Sequence, residues 1–381
     1  MLLLLSDLGL AKINIAETKS TLWMTLYSKV PFETSSMLSV STNKTANVRK
    51  AQDIPALSYN EHCSSLLYGS EAFIQQVKAE AKLSATEKQS LIRERQKIDQ
   101  CAETLALIQV NPRWSSTARQ CASYLNATIS FYNTNFSTAT KIYTVLTQVD
   151  SAWLKETSQY MLIRSSLNEA YQSGVGEYGD LDHSKINQKL VTNFFNTITQ
   201  YFKLYPQGLY AASARGYLRR SFWLSAKHDL LVNEYVWQLN NPKSSVYNLE
   251  LPNLVHEMDR HVFQSSHFNI KHLKNPFFLS IYDLMHMRKK QADDDVIISW
   301  NELNTQKNIF KDQPELFQYL QTNHLYYVQN KPLEALKYLP QTMPNSMNSY
   351  LQLSQLLLKG RILENTQSNK IPSNIGKTCL Q

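Results

Sequence analysis

The stretch best suited to metal chemistry is His256-Glu257-Met258-Asp259-Arg260-His261. A helical zinc site sets two His four residues apart, so that both rings leave the same face. Here the interval is five, which carries the second ring about 140° round a helix of 3.6 residues per turn. The segment therefore reads as a polar helix face. Asp293-Asp294-Asp295 offers oxygen ligands, but a Ca²⁺ loop also needs a turn glycine and a distal Glu, and neither follows at the right place. These acids read instead as favouring the positive end of the next helix. The chain has no Gly-rich phosphate loop and no Gly-x-Ser-x-Gly nucleophile elbow. We expect no metal, no cofactor and no catalytic residue, and the chain reads as a non-enzyme.

Two basic clusters stand out, Arg215 with Arg219 and Arg220, and Arg288-Lys289-Lys290. Around the first, Tyr217, Phe222 and Trp223 are interleaved, and stacking plus charge is how single-stranded nucleic acid is held. The simpler reading makes the aromatics core and Arg215 with Arg219 an exposed ridge. The whole-chain charge favours the simpler one: 39 Lys and Arg against 31 Asp and Glu leave +8 over 381 residues, which permits an anionic partner without requiring one. The four cysteines, Cys63, Cys101, Cys121 and Cys379, show no Cys-x-x-Cys pair, which argues against zinc. Cys63 and Cys101 bracket a helical hairpin and are the expected disulfide in an oxidising compartment.

The elements that must position these residues are helices. Nine Gly in 381 residues, against roughly 7% in average usage, is too few for a dinucleotide fold or a many-stranded sandwich. Ser84-x-x-Glu87 is a capping box. Tyr124, Thr128 and Phe131, then Ala139, Tyr143 and Leu146, recur at helical spacing on either side of a polar turn at Asn133-Thr134-Asn135. The pattern continues from Trp153 to Tyr171, through a break at Gly174 to Asp182, and from Ile186 to Tyr205-Pro206, where Pro stops the helix. Gly216 and Gly360 fall inside expected helices and suggest close helix approach. No run of 18 apolar residues predicts a membrane span. Residues 1–58 read as a flexible leader, a mis-assigned start or a targeting remnant; residues 59–240 as a helical-repeat region; 241–364 as a C-terminal helical region; 365–381 as a frayed tail.

The hairpin spacing resembles the tetratricopeptide repeat, with Ala139 at its small position and Tyr143 at its aromatic one. Tyr319, Tyr326 and Ala335 fall in the same register, with Leu339 in place of the aromatic. The junction Tyr205-Pro206-Gln-Gly208-Leu-Tyr210-Ala-Ala-Ser-Ala214 resembles that of bacterial envelope repeat proteins, such as outer-membrane-assembly lipoproteins and cell-division coordinators. The resemblance implies an all-α, right-handed solenoid of helical hairpins, acting as a protein-binding scaffold in the periplasm or at the envelope, with a cytoplasmic location as the alternative. A peptide partner in a concave groove would meet Tyr124, Tyr160, Arg164, Arg215 and Arg219, placed on the first helices of hairpins. The alternative functions are a nucleic-acid-binding helical repeat, or a hydrolase whose carboxylates or His converge only in the fold.

Overall fold

The structure is a computed structural model that describes residues 66–98, 105–176, 180–263, 265, 268–288, 298–341 and 350–368. Its regular structure is helical throughout, and among the described residues the only β pairing is a single bridge, Val175 to Leu181. The described chain divides into two compact units, one ending at Phe268 and one beginning at Asn269.

The first unit holds α1 (Leu66–Ala79), α2 (Ala85–Gln96), α3 (Ser116–Tyr132), α4 (Phe136–Leu146), α5 (Ala152–Gln172), α6 (Gln188–Leu204), α7 (Ala211–Leu224), α8 (His228–Asn240) and α9 (Leu251–Met258). The second holds α10 (Pro276–Arg288), α11 (Trp300–Thr305), α12 (Pro314–Asn323), α13 (Pro332–Lys337) and α14 (Tyr350–Ser368). The capping box forms as the sequence predicts: the Glu87 amide donates to Ser84 Oγ, and the Ser84 amide donates to Glu87 Oε2. Glu87 also reaches out of its helix, since its Oε1 accepts 2.7 Å from the amide of Ser115, the N-cap of α3. One carboxylate thus starts two helices. These amide bonds hold its pKa down at about 2.

Three hairpin turns are built alike. Asn133–Asn135, Ser225–Lys227 and Gln329–Lys331 are each three residues long, and in each the middle residue is left-handed. These residues are Thr134 (φ 62°), Ala226 (φ 51°) and Asn330 (φ 52°). The residue after each one donates back to the preceding helix: Asn135 to Ser130 O, Lys227 to Phe222 O and Lys331 to Leu325 O, all at 2.8 Å. This backward bond satisfies a carbonyl that the helix end would otherwise leave open. Counted from the left-handed residue, the fifth position is Ala139, Leu231 or Ala335 and the ninth is Tyr143, Tyr235 or Leu339, and all six side chains are buried.

Within the first unit, alternate helices also touch. Tyr124 of α3 stacks on Phe73 of α1 at 5.7 Å and meets the edge of Trp153 at the start of α5 at 5.4 Å. Tyr160 of α5 stacks on Tyr210 at 4.3 Å, just before α7. A layer of α1, α3, α5 and α7 is therefore joined through aromatic faces, whose offset or edge-on contacts add to their area burial.

Gly216 is buried in α7 as the spacing suggests. Gly360 does not meet that expectation: a Cβ there would touch nothing within 4 Å. It lies on an open face of α14, so no close helix approach explains it.

Thr134 is a β-branched residue in a left-handed turn, where its Cβ crowds the backbone. Thr134→Gly is expected to stabilise the fold by about 1 kcal/mol, read as a rise in the urea midpoint at unchanged m-value.

Candidate functional site

The five residues expected to line a groove are placed mainly inside the helix stack. Tyr124, Tyr160, Arg164 and Arg219 are buried, and Arg215 is partly so. The physical reason is pairing. Tyr124 and Tyr160 are spent on the aromatic layer, and the Tyr160 hydroxyl shares a 2.7 Å hydrogen bond with Ser213. The Arg164 guanidinium lies 4.9 Å from the centre of the Phe131 ring.

Arg215 and Arg219 do not form an exposed ridge. Arg215 makes a two-pronged bond to Glu234 of α8, Nε to Oε1 and Nη2 to Oε2, both at 2.8 Å, and its guanidinium stacks on the Trp237 ring at 3.2 Å. Arg219 makes a second fork with Glu257 of α9, Nε to Oε2 at 2.8 Å and Nη2 to Oε1 at 3.2 Å. Its Nη1 donates to Asn248 Oδ1 at 2.7 Å. Gln238 joins the two pairs: it donates to Glu234 Oε1 at 3.0 Å and accepts from the Asn248 amide at 3.3 Å. These contacts tie 241–258 to α7 and α8, so this segment packs within the unit that ends at Phe268. Each carboxylate is gripped by both arms of an arginine, a charge-assisted pairing that fixes the orientation of both side chains.

The Tyr205–Ala214 junction works as packing. Helix α6 ends at Leu204, and Pro206 follows the cap residue Tyr205. The Tyr201 hydroxyl donates to Glu156 Oε1 at 2.7 Å and accepts from the Tyr210 amide at 3.0 Å. Burial, with this bond to Glu156, pushes the Tyr201 pKa up, so its proton stays on. The Tyr210 hydroxyl shares a 3.0 Å bond with Thr157, and Ala214 is fully buried. Gly208 sits against this knot: a Cβ there would press on Glu156 Oε1, Tyr201 Oη at 2.7 Å and Tyr205 Cβ at 2.8 Å. Glycine is required there by close approach.

His256 and His261 part company as their spacing dictates. His256 is exposed on α9. His261 is buried in the π-turn Asp259–Phe263, with its ring 5.0 Å from that of Trp223. Among the described residues, no three His, Cys, Asp or Glu side chains gather as a metal would need. Cys121 is a buried free thiol whose pKa burial pushes up to about 12, the opposite of a nucleophile's environment. Cys63, Cys101 and Asp293-Asp294-Asp295 lie outside the described residues.

In the second unit, Asp283 is the carboxyl that sequence reasoning missed. It sits fully buried on α10, where, among the described residues, only Gln306 Nε2 donates to its Oδ1, at 3.2 Å. Its Oδ2 and Gln306 Oε1 are both buried without a partner. Burial pushes its pKa up to about 7. Only burial marks this residue, and Tyr282-Asp283-Leu284 carries no sequence pattern that would announce it.

Tyr68, Leu107, Val145, Leu204, Leu209 and Leu230 are large apolar side chains exposed in the first unit, and Leu204 and Leu209 flank the turn between α6 and α7. Helices α6 and α7 meet there through their shared turn, and Tyr201, near the end of α6, bonds Glu156 in the first turns of α5. The end of α4 runs into that same α5 start through a short turn. Val145 is 69% exposed, Leu209 71% and Leu204 48%. Among the described residues, no helix is long and apolar enough to cross a membrane. In comparisons with known proteins, no family model, no curated protein and no solved structure matches the chain.

Two outcomes test these arrangements. Glu257→Ala leaves Arg219 buried without its carboxylate and is expected to cost about 3–5 kcal/mol in urea denaturation. For Asp283, the folded chain holds a proton up to about pH 7 that the unfolded chain gives up near 3.8. Stability therefore falls as pH rises between these values and stays at the lower level above them. Asp283→Asn should flatten that fall and raise the midpoint of thermal unfolding at pH 8 by several degrees, on the order of 4–8 °C per kcal/mol recovered in a small domain and less in a larger one.

Proposed function

We propose that this protein is a non-enzymatic helical scaffold that binds a segment of another protein. The observation that carries this reading is that Leu204 and Leu209 stand in solvent on either side of one turn, with Val145 exposed at the end of α4, while the helices that bear them are already packed. Exposed apolar side chains grouped at one place mark interaction sites more often than scattered ones do. The tyrosines and arginines behind them are occupied in holding the helices, which leaves a rigid platform of the kind that costs little entropy on binding. The shared hairpin turn and the contacts between alternate helices support a repeat-like stack of the tetratricopeptide kind, whose usual task is to present an extended surface.

The likeness of the Tyr205–Ala214 junction to bacterial envelope repeat proteins supports a place in the periplasm or at the envelope. The nucleic-acid alternative loses its main support, because the arginines of the first basic cluster point inward. The hydrolase alternative has the buried carboxyls to draw on, but Glu234 and Glu257 are locked by arginine and Asp283 is sealed from solvent.

A photo-reactive residue placed at position 209 should crosslink one discrete protein partner in cells, and Val145→Asp combined with Leu204→Asp should abolish that product while leaving the helical circular dichroism unchanged. Crosslinking that survives the double substitution overturns the assignment of this surface. The cell fraction that holds the product decides between envelope and cytoplasm.

A further inference from the structure

Residues 105–110 of the first unit belong to no helix, yet they are held along one. Two asparagines hold them. Asn126 of α3 gives both halves of its amide to a single residue: the Ile108 amide donates to its Oδ1 at 2.7 Å, and its Nδ2 donates to Ile108 O at 3.0 Å. Asn133, the cap residue at the end of α3, treats Leu105 in the same way, with bonds of 3.2 and 2.8 Å. A side-chain amide carries a donor and an acceptor, so it can pair with the N–H and C=O of one residue whatever side chain that residue bears. The asparagines are seven residues apart, which is about 10.5 Å along a helix that rises 1.5 Å per residue. Leu105 and Ile108 are three residues apart, and only an extended chain, at roughly 3.3 Å per residue, covers that distance in three steps. Contacts that return to one side at every third residue have the repeat of a polyproline II strand. The segment runs antiparallel to α3, since Leu105 meets Asn133 and Ile108 meets Asn126.

This attachment is slight beside that of the helices. Leu105, Ile108 and Val110 pack against the core but are only partly buried, and Ala106, Leu107 and Gln109 are exposed. Among the described residues, the four bonds to Asn126 and Asn133 are the hydrogen bonds that 105–110 makes. A segment with few buried contacts opens at low free-energy cost. The asparagines read backbone, and the surface beneath Leu105 and Ile108 asks only for apolar side chains at that interval, so nothing in the seat is peculiar to this chain's own residues. We propose that the Asn126–Asn133 face of α3 is a binding site for an extended apolar segment of another protein, and that residues 105–110 fill it as an internal stand-in which the partner displaces. Main-chain bonds supply the affinity, and apolar side chains three residues apart supply the preference. The inference goes beyond the scaffold reading, whose surface is the turn between α6 and α7, and either can fail without the other.

The probe is a fluorescent peptide of residues 105–112, Leu-Ala-Leu-Ile-Gln-Val-Asn-Pro, titrated with the full chain and read by anisotropy, beside a peptide of the same composition in scrambled order. The internal segment competes with it, so its apparent affinity for the unaltered chain is lowered by the fraction of time the site stands open. Leu105→Ser combined with Ile108→Ser weakens the internal segment, leaves α3 unchanged, and should tighten peptide binding about tenfold or more. Asn126→Ala with Asn133→Ala, added to that chain, should weaken binding again about tenfold or more, because each removes two backbone bonds. In chains that retain their helical circular dichroism, three results overturn the proposal: binding no tighter in the serine variant, binding that survives the alanine substitutions, or equal binding of the scrambled peptide. Should the serine variant lose its helical signal, the unaltered chain decides. Saturating peptide should speed hydrogen exchange at the Leu105 and Ile108 amides, and unchanged exchange overturns the proposal. Conversion of the unaltered chain to a dimer at high concentration, with those amides still protected, makes a second copy the occupant and overturns the assignment to another protein.

Discussion

A guanidinium cannot enter a protein interior unless every direction in which it donates finds an acceptor, and this protein buries several. Arg95 lies among the largest fully buried side chains and donates at 2.8 Å to the carbonyls of Ile98 and Leu66, which binds the end of α2 to the start of α1. Arg219 joins α7 to α9 and to the loop before it, and Arg215 joins α7 to α8. Each arginine can be satisfied in one mutual placement of its helices only. A shift of one helical turn would strand a charge in the core, so these contacts select the arrangement even where an apolar pair would hold it as firmly.

Around these polar ties, the aromatic layer sets the spacing. Phe73, Tyr124, Trp153, Tyr160 and Tyr210 form contacts that run across alternate helices. Tyrosine suits this place because its ring packs while its hydroxyl finds specific neighbours: Thr157 for Tyr210, Ser213 for Tyr160, and Glu156 with the Tyr210 amide for Tyr201. The abundance of tyrosine therefore reflects helix packing. Val145, Leu204 and Leu209 stay in solvent, and these bare side chains are the basis for reading the protein as a platform for another chain.

The two units put their charged residues to different uses. In the first, arginines are answered by glutamates and the result is a lock. In the second, Arg288 bonds Asn323 and Tyr319, Arg361 bonds Tyr327, and burial pushes the Asp283 pKa up. What a charged residue does thus follows from what the fold sets opposite it.

The sequence by itself determined the helices. The period of apolar residues, the Ser84–Glu87 box, Pro206 after Tyr205 and the turn at Asn133–Asn135 all act within a few residues of chain, and short-range spacing records such effects. It also marked Ala139 with Tyr143 and Ala335 with Leu339 as matching positions, before the shared turn geometry explained why. Only the tertiary structure decided what the polar residues do. Whether Arg215 and Arg219 face solvent or Glu234 and Glu257 depends on partners 19 and 38 residues away, and no local pattern encodes that distance. The same holds for Asp283, which takes its proton from burial alone. Charge and periodicity are local properties of a sequence; burial and pairing belong to the fold.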